Sequence, residues 1–298
     1  YDSVDQAVQY ANRGDVIFVA ETKEGALTGV TRAAVNMETT VFVSGGLRVA
    51  FEEGANRVVN AKIGYVVGPV CSGAAIAAVP IYNNEGVVAV TPSATSPALT
   101  EGKNYQFIFR TIGRDDQQGP AAAKFIAEKV KPKKVAVLHD KQSYGQGIAA
   151  SVRDDLKKAG INVALFEGIN AGDSDYSAVI TKLKSAGIDF VYYGGYHPEM
   201  GLLLRQSAEQ GLKTRIMGPE GVGNPEVNAI AGPAVEGMLL TLPADFSANP
   251  KNAAIVKAFK DKKRDASGAF QLSAYSATQV LIDSIKAVGD NPTKVAEY

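Results

Sequence analysis

The sequence predicts an α/β protein with two doubly wound lobes joined by a hinge. From residue 63 onward, apolar strand-like runs alternate with amphipathic helical stretches, which is the pattern of parallel βαβ units. The chain has 298 residues, more than a single core usually accommodates. Two polar stretches that contain glycine or proline, residues 110–120 and 242–250, interrupt the alternation and indicate where the lobes are connected.

These two interruptions predict that the chain crosses twice between the lobes. The first lobe is predicted to comprise residues 1–115 and 245–298, and the second lobe residues 116–244. Each lobe would then be assembled from separate or bracketed pieces of chain. Such double connections allow hinge bending, which is a common way for a protein to close on a ligand.

The individual elements follow from hydrophobic period and from the residues that bound each run. Strands are predicted at 63–67, 87–91, 134–139, 162–166, 190–193, 215–217 and 237–242. Helices are predicted at 119–130, 147–159, 176–186, 252–263 and 273–288. The first 54 residues are less regular, with strands predicted at 16–20, 40–43 and 47–51 and a helix at 5–12.

Composition narrows the classes of partner. Lys plus Arg and Asp plus Glu both number 31, so no large net field favours nucleic acid or an anionic membrane. No apolar run is long enough to span a membrane, and the first residues lack a secretory signal pattern, so we expect a soluble chain in mature form. With one cysteine and two histidines, neither a metal enzyme nor a cofactor is expected.

Polar residues follow several of the predicted strands. Tyr196 and Glu220 lie in glycine-rich turns, while Ser72 and the 91–95 segment follow strands nearer the N-terminus. Open parallel sheets bind ligands at the carboxyl ends of their strands. Hydroxyls and backbone amides at Ser72 and Thr95 suit a carboxylate, and Glu220 suits an ammonium in a charge-assisted bond. The set therefore favours one small zwitterion.

Structural roles compete with this interpretation. Ser72 and Thr95 are residue types that cap helices, and Tyr144 and Tyr196 could be packing aromatics. Glu220 on a turn would ordinarily be a solvated carboxylate. Two turns 23 residues apart in one βαβ-like unit favour ligand binding for Ser72 and Thr95, and the position after a strand favours it for Glu220. The glycines around the two tyrosines favour ligand contact for them as well.

Two further residues invite a chemical interpretation. His197 with Glu199 resembles part of a metal or acid–base site, but a structural histidine is favoured because no further ligands accompany the pair. Cys71 is favoured as a small buried hydrophobe rather than as a nucleophile, because neither histidine has a sequence context that marks it as a partner base.

Long motifs resemble the branched-chain amino-acid-binding proteins of bacterial ABC transporters, the leucine/isoleucine/valine family. The resemblance covers residues 55–298 and implies a type I periplasmic-binding-protein-like fold whose two lobes close over one amino acid. The matching segments are GPVCSGAAIAAVPIYNNEGVVAVTPSATSPALT (68–100), FRTIGRDDQQGPAAAKFIAEKVKP (109–132), VLHDKQSYGQG (137–147), DFVYYGGYHPEMGLLLRQ (189–206) and MGPEGVGN (217–224).

The resemblance assigns a ligand role to each matching position. On the first lobe, hydroxyl and backbone groups hold the α-carboxylate and α-amino groups of the ligand. On the second lobe, two tyrosines wall the site and a glutamate meets the ammonium. A phenylalanine nearer the C-terminus matches an aromatic position beside the aliphatic pocket. These residues are Ser72, Ser93, Ala94 and Thr95, then Tyr144, Tyr196 and Glu220, and finally Phe270.

The chain departs from the family pattern in three places. Residues 1–46 hold no convincing copy of the family's first strand, its Ser-Gly-Pro-type loop with a pocket tyrosine, and its long helix. Residues 47–54 resemble the family's second strand, but the span with a disulfide partner for Cys71 is then missing. The sequence stops at residue 298, short of the closing strands that the family normally has.

The resemblance implies a periplasmic, monomeric solute-binding protein without enzymatic activity. It would capture a branched-chain or similar small aliphatic L-amino acid in the cleft between the lobes and present it to the membrane permease of an ABC transporter. The alternative is that the same module is the extracellular sensor domain of a signalling receptor. Neither nucleic-acid binding nor direct membrane insertion is expected.

Overall fold

The computed structural model describes residues 17–23, 26–33 and 46–298, with side chains from residue 51 onward. The predicted helix at 5–12 and the predicted strand at 40–43 lie outside the described residues. The chain divides into two compact units, one ending at Gly113 and resuming at Ala244–Tyr298, the other comprising Arg114–Pro243. That these units close on a ligand stays a prediction.

The sheet of the first unit has five strands in the order β2-β1-β3-β4-β5. Strands β3, β4 and β5 run parallel, whereas β1 pairs antiparallel with both β2 and β3. The elements are β1 (Ile17–Lys23), β2 (Ala26–Ala33), α1 (Gly46–Asn60), β3 (Tyr65–Val67), α2 (Ser72–Asn84), β4 (Val88–Thr91) and β5 (Ile108–Arg110).

The second unit contains an all-parallel sheet in the order β10-β9-β8-β6-β7. Its strands are β6 (Val135–His139), β7 (Val163–Gly168), β8 (Phe190–Gly194), β9 (Arg215–Gly218) and β10 (Leu239–Leu240). Its helices are α3 (Asp115–Phe125), which continues as a π-helical turn (Ile126–Val130), α4 (Ser143–Lys158), α5 (Ser177–Ser185), α6 (His197–Glu209) and α7 (Glu226–Ala231).

The chain then returns to the first unit and adds three helices, α8 (Ala253–Asp261), α9 (Gln271–Val288) and α10 (Pro292–Glu297). Residues of α9 and α10 pack with Val67 and Val90 on one face of the first sheet. Residues of α1 and α2 pack with Val66 and Ala89 on the other face. Because successive strand residues point to opposite faces, this sheet is buried on both sides.

The second sheet is covered in the same way. Leu138 and Val191 belong to a core with α5, α6 and α7, whereas Val137 and Tyr192 belong to a core with α3 and α4. All four of these strand residues are fully buried. The α/β prediction is confirmed: helices cover both faces of each sheet, and the sheet is all-parallel in the second unit and mixed in the first.

The predicted strands from residue 63 to residue 242 are all present, with ends that shift by no more than two residues. The strand predicted at 47–51, which was matched to the family's second strand, is wrong because these residues lie in α1. The apolar run LRVAF ends at Phe51, and the buried residues Ala55 and Val58 follow it at spacings of four and three residues, which is a helical pattern. A short apolar run alone does not distinguish a strand from a buried helix.

Helices α3 and α4 pack closely where α3 has a glycine. A Cβ atom added at Gly119 would lie 2.8 Å from the Cβ of Ser151, nearer than side chains approach each other. Gly147 on α4 is exposed, and a Cβ atom there would meet nothing within 4 Å. The two helical glycines therefore differ in packing while sharing backbone conformation.

This difference predicts opposite effects of the same substitution. We expect Gly119→Ala to lower the free energy of unfolding by about 1–3 kcal/mol, because α3 and α4 must separate to relieve the overlap. We expect Gly147→Ala to raise it by up to about 1 kcal/mol, because alanine favours the helix. Urea denaturation of both variants measures the effects, and equal changes would contradict the packing described here.

Candidate functional site

A hydrogen-bonded turn follows β4 at the carboxyl edge of the first sheet. The hydroxyl of Thr91 donates to the carbonyl of Pro69 at 2.6 Å and accepts the backbone N–H of Ala94 at 3.0 Å. The hydroxyl of Ser93 donates to the carbonyl of Val70 at 2.8 Å. These bonds tie the turn to the segment that leads into α2, and they already supply an acceptor for the Ala94 N–H.

Arg110 at the end of β5 supports the same turn from below. Its guanidinium donates to the carbonyls of Ala94 at 3.0 Å and Ser96 at 3.3 Å, and to the hydroxyl of Thr100 at 2.8 Å. A guanidinium that binds several carbonyls at once fixes the direction of the backbone. The sequence analysis did not single out Arg110.

Ser72 joins α2 to this turn. Its hydroxyl accepts the backbone N–H of Ser96 at 3.2 Å instead of an N–H group of its own helix. Ser72 and Thr95 are both buried, with exposed fractions of 2% and 3%. Hydrogen bonds therefore hold Ser72, Ser93 and Ala94 in place around this turn, and Thr95 is buried in the same turn. We call these four residues the first half-site.

Phe270 lies at the start of α9 in the same unit and is partly buried. Its carbonyl accepts the hydroxyl of Ser273 at 2.9 Å. The hydroxyl of Thr111, one residue after β5, donates to the carbonyl of Ser273 at 2.9 Å. This contact ties the first turn of α9 to the residue that follows β5.

The second unit presents a buried carboxylate after β9. Glu220 has an exposed fraction of 2% and begins a 3₁₀ turn, Glu220–Val222. The backbone N–H of Glu220 donates to Oε1 of Gln118 at 3.1 Å. The next N–H, that of Gly221, donates to the hydroxyl of Tyr144 at 3.1 Å. Side chains of α3 and α4 therefore hold this turn.

The predicted tyrosines lie beside Glu220. The ring centroids of Tyr144 and Tyr196 are 5.2 Å apart with a tilt of 37°. Burial raises the pKa of the Tyr144 hydroxyl well above its usual range, and the charges of Glu220 and Asp115 raise it further. A Cβ atom at Gly221 would lie 2.8 Å from the carbonyl oxygen of Gly195 and from Cε1 of Tyr144. Glycine therefore permits the close approach that brings the two turns together.

We call Tyr144, Tyr196 and Glu220 the second half-site. Sequence reasoning missed two neighbours on α3, Asp115 and Gln118. Asp115 is 3% exposed. Burial raises the pKa of the neighbouring Tyr192 hydroxyl, and the charges of Glu220 and Asp115 raise it further. Acidic residues in a first helical turn usually interact with the helix dipole in contact with solvent, so nothing in the local sequence indicates that Asp115 is buried.

Another buried carboxylate follows β6. Asp140 is 2% exposed; its Oδ1 accepts the backbone N–H of Gln142 at 2.9 Å, and its Oδ2 has no hydrogen-bond partner among the described residues. Burial raises the pKa of Asp140 to about 7, and the charge of Glu199 adds to the increase. Oε1 of Glu199 accepts the N–H of Gly172 at 3.0 Å.

His197 and Cys71, which were considered for metal binding or catalysis, lie in surroundings that fit a structural role. Nε2 of His197 lies 3.2 Å from Oε2 of Glu226, while Glu199 faces Gly172. Within residues 51–298, no group of three or more His, Cys, Asp or Glu side chains is placed to hold a metal ion. Cys71 immediately precedes α2 and is half-buried.

With these turns described, the family can be assigned. The sequence model of the periplasmic binding protein family matches residues 49–297. The chain belongs to this family. Over the described part of the chain, no helix is long and apolar enough to cross a membrane.

Named relatives agree with this assignment. The chain is 58% identical to a leucine-, isoleucine-, valine-, threonine- and alanine-binding protein of Pseudomonas aeruginosa, over 82% of this chain and 65% of that protein. It is 44% identical to a Leu/Ile/Val/Thr-binding protein of Salmonella typhimurium, over 100% of this chain and 83% of that protein. The chain thus spans just under two thirds of the length of the Pseudomonas relative.

A solved structure shares the fold. The substrate-binding protein of a branched-chain amino acid transporter from Streptococcus pneumoniae, solved in complex with isoleucine, matches with a TM-score of 0.80 at 25% identity. The match covers 99% of this chain and 80% of that protein. The type I periplasmic-binding-protein fold expected from the sequence is confirmed.

The unusual pKa of Asp140 predicts a pH-dependent stability. A carboxyl group whose folded pKa is raised stabilises the fold when protonated, and this stabilisation is lost as pH rises from about 4 towards 7. Asparagine resembles the neutral acid, so we expect Asp140→Asn to gain stability over the wild type between pH 5 and pH 8, by about 2 kcal/mol.

Urea denaturation at both pH values measures this gain. Asp154→Asn is the control, because a hydrogen bond from Arg153 lowers the pKa of this exposed aspartate, so its contribution to stability changes only below about pH 4 and its difference from the wild type should be the same at pH 5 and pH 8. A stability difference between Asp140→Asn and the wild type that does not change with pH would contradict a protonated Asp140.

Proposed function

We propose that this protein is a periplasmic solute-binding protein that captures a free branched-chain or other small aliphatic L-amino acid for uptake by an ABC transporter. Family membership and the names of the relatives support the proposal. Its immediate partners are the amino acid and the membrane permease. The protein acts as a monomer and catalyses no reaction.

The second half-site carries the proposal. Glu220 is a buried carboxylate on a turn after a parallel strand, held between α3 and α4 and accompanied by two tyrosines. Buried carboxylates are stable when they bind a cation through charge-assisted hydrogen bonds. The ammonium of a free amino acid meets that requirement, with Tyr144 and Tyr196 walling its aliphatic side chain.

The first half-site complements this chemistry. A carboxylate needs donors, and the hydroxyl of Ser72 accepts the N–H of Ser96, which leaves the hydroxyl hydrogen to be donated to a ligand. Thr95 is buried in the same turn. We assign Ser72 and Thr95 to the α-carboxylate, with Ser93 and Ala94 contributing through the backbone of the turn, and Phe270 to the aliphatic side chain.

We further propose that both half-sites bind the same ligand molecule. The units would then be two lobes, residues 1–115 with 245–298 and residues 116–244, that close on the amino acid as hinged domains do. Docking on the first lobe precedes closure by the second, and the closed state is recognised by the permease. Selectivity among leucine, isoleucine and valine should be mild, because one methylene changes binding by about 1–3 kcal/mol.

Isothermal titration calorimetry tests the proposal. We expect leucine, isoleucine and valine each to bind the purified protein. We expect Glu220→Gln to weaken binding by at least about 1.5 kcal/mol, or roughly tenfold, because a charged hydrogen bond is lost. Glu236→Gln, which changes an exposed carboxylate of the same unit, should bind as the wild type does.

Three results would count against this function. Failure of all three amino acids to bind a folded sample would remove the proposed ligand class. Unchanged affinity in Glu220→Gln would remove Glu220 from the site. Turnover of any bound amino acid would show an enzyme instead of a carrier.

A further inference from the structure

Gln118 on α3 forms an unusual set of hydrogen bonds for a residue that sequence analysis did not select. Its Oε1 accepts the backbone N–H of Glu220 at 3.1 Å and the hydroxyl of Thr241 at 2.6 Å. These donors lie 102 and 123 residues away in the sequence. One side chain therefore connects three separate segments of the second unit.

The orientation of this amide is fixed by its partners. Both donors point at one carbonyl oxygen, which has two lone pairs to receive them. The Nε2 group lies 3.4 Å from Oδ1 of Asp115, an acceptor. Rotating the amide by half a turn would place an N–H group against the backbone N–H of Glu220, which can only donate, so only the observed orientation satisfies that group.

The connected segments include the places where the second unit begins and ends. Gln118 lies shortly after Arg114, the first residue of the unit, and Thr241 lies shortly before Pro243, the last. The third segment is the Glu220 turn, whose next N–H is held by Tyr144. The position of Glu220 thus depends on a side chain anchored beside both chain connections.

We propose that Gln118 is a positioning residue that holds the Glu220 turn so that its carboxylate meets the ammonium of the bound amino acid. This inference rests on the proposed function. Gln118 acts through Glu220 and does not contact the ligand. Thr241 fixes Gln118 in turn, so a change at either connection is transmitted to the carboxylate.

The physical consequence of losing this acceptor is local. Without Oε1, the buried N–H of Glu220 must find another partner, and an unsatisfied buried donor is costly. The 3₁₀ turn then shifts, and a charge-assisted hydrogen bond weakens when its geometry is lost. Binding should suffer because the carboxylate is misplaced, while its charge is unchanged.

A double-mutant cycle tests this role in the purified protein with leucine as the probe. Gln118→Met removes the acceptor at similar length, and Gln117→Met is the matched control, since Gln117 is the exposed neighbour on the same helix. We expect Gln118→Met to weaken leucine binding about tenfold. We expect Gln117→Met to bind as the wild type does.

The decisive comparison is made in the Glu220→Gln background. If Gln118 acts through Glu220, adding Gln118→Met to Glu220→Gln should weaken binding by no more than about threefold. A purely structural role would leave the two losses multiplicative, at about a hundredfold together. Multiplicative losses, or wild-type affinity in Gln118→Met, would overturn the positioning role.

A second variant keeps the test open if Gln118→Met does not fold. Thr241→Val removes the hydroxyl that anchors Gln118, and we expect about a threefold loss that disappears in the Glu220→Gln background. Equal loss in both backgrounds would overturn the proposal.

Failure of the positioning role can be distinguished from failure of the proposed function. If the wild type binds leucine and only Glu220→Gln weakens leucine binding, the positioning role fails while the proposed function stands. If wild type binds no aliphatic amino acid, both fail.

Discussion

The opposite charges of a free amino acid dictate what a dry binding site must contain. An unpaired charge in an apolar pocket costs more free energy than aliphatic contacts return, so both ends need partners. In the proposed function, two chemically different groups of the protein serve this purpose. One is a turn rich in hydroxyls and backbone groups after β4, and the other is the buried carboxylate of Glu220 between tyrosines.

Both turns are held by side chains that accept backbone N–H groups. Thr91 and Ser72 do this in the first unit, and Gln118 and Tyr144 do it in the second. Turns at the edge of a parallel sheet have backbone donors that the sheet does not use, and these acceptors set the direction of each turn before a ligand arrives. Such preorganisation spares the ligand the entropic cost of ordering the site.

The sequence predicted most of the architecture and little of this support. Buried parallel strands are short, continuous apolar runs, which is why β6 and β8 could be placed to within about a residue. The strand prediction at 47–51 was wrong because the apolar residues of this short run fit both the two-residue period of a strand and the 3.6-residue period of a helix. The roles of Gln118 and Asp140 depend on partners that only the fold brings near, and the near-complete burial of an aspartate, 2% exposed, leaves no mark in its local sequence.

A crystal structure of the protein with bound leucine tests the central claim most directly. The account predicts that one leucine molecule has its ammonium within hydrogen-bonding distance of the Glu220 carboxylate and its carboxylate within the same distance of Ser72 and Thr95. Leucine bound elsewhere, or held by one of these two groups with the other turned away from it, would contradict the account.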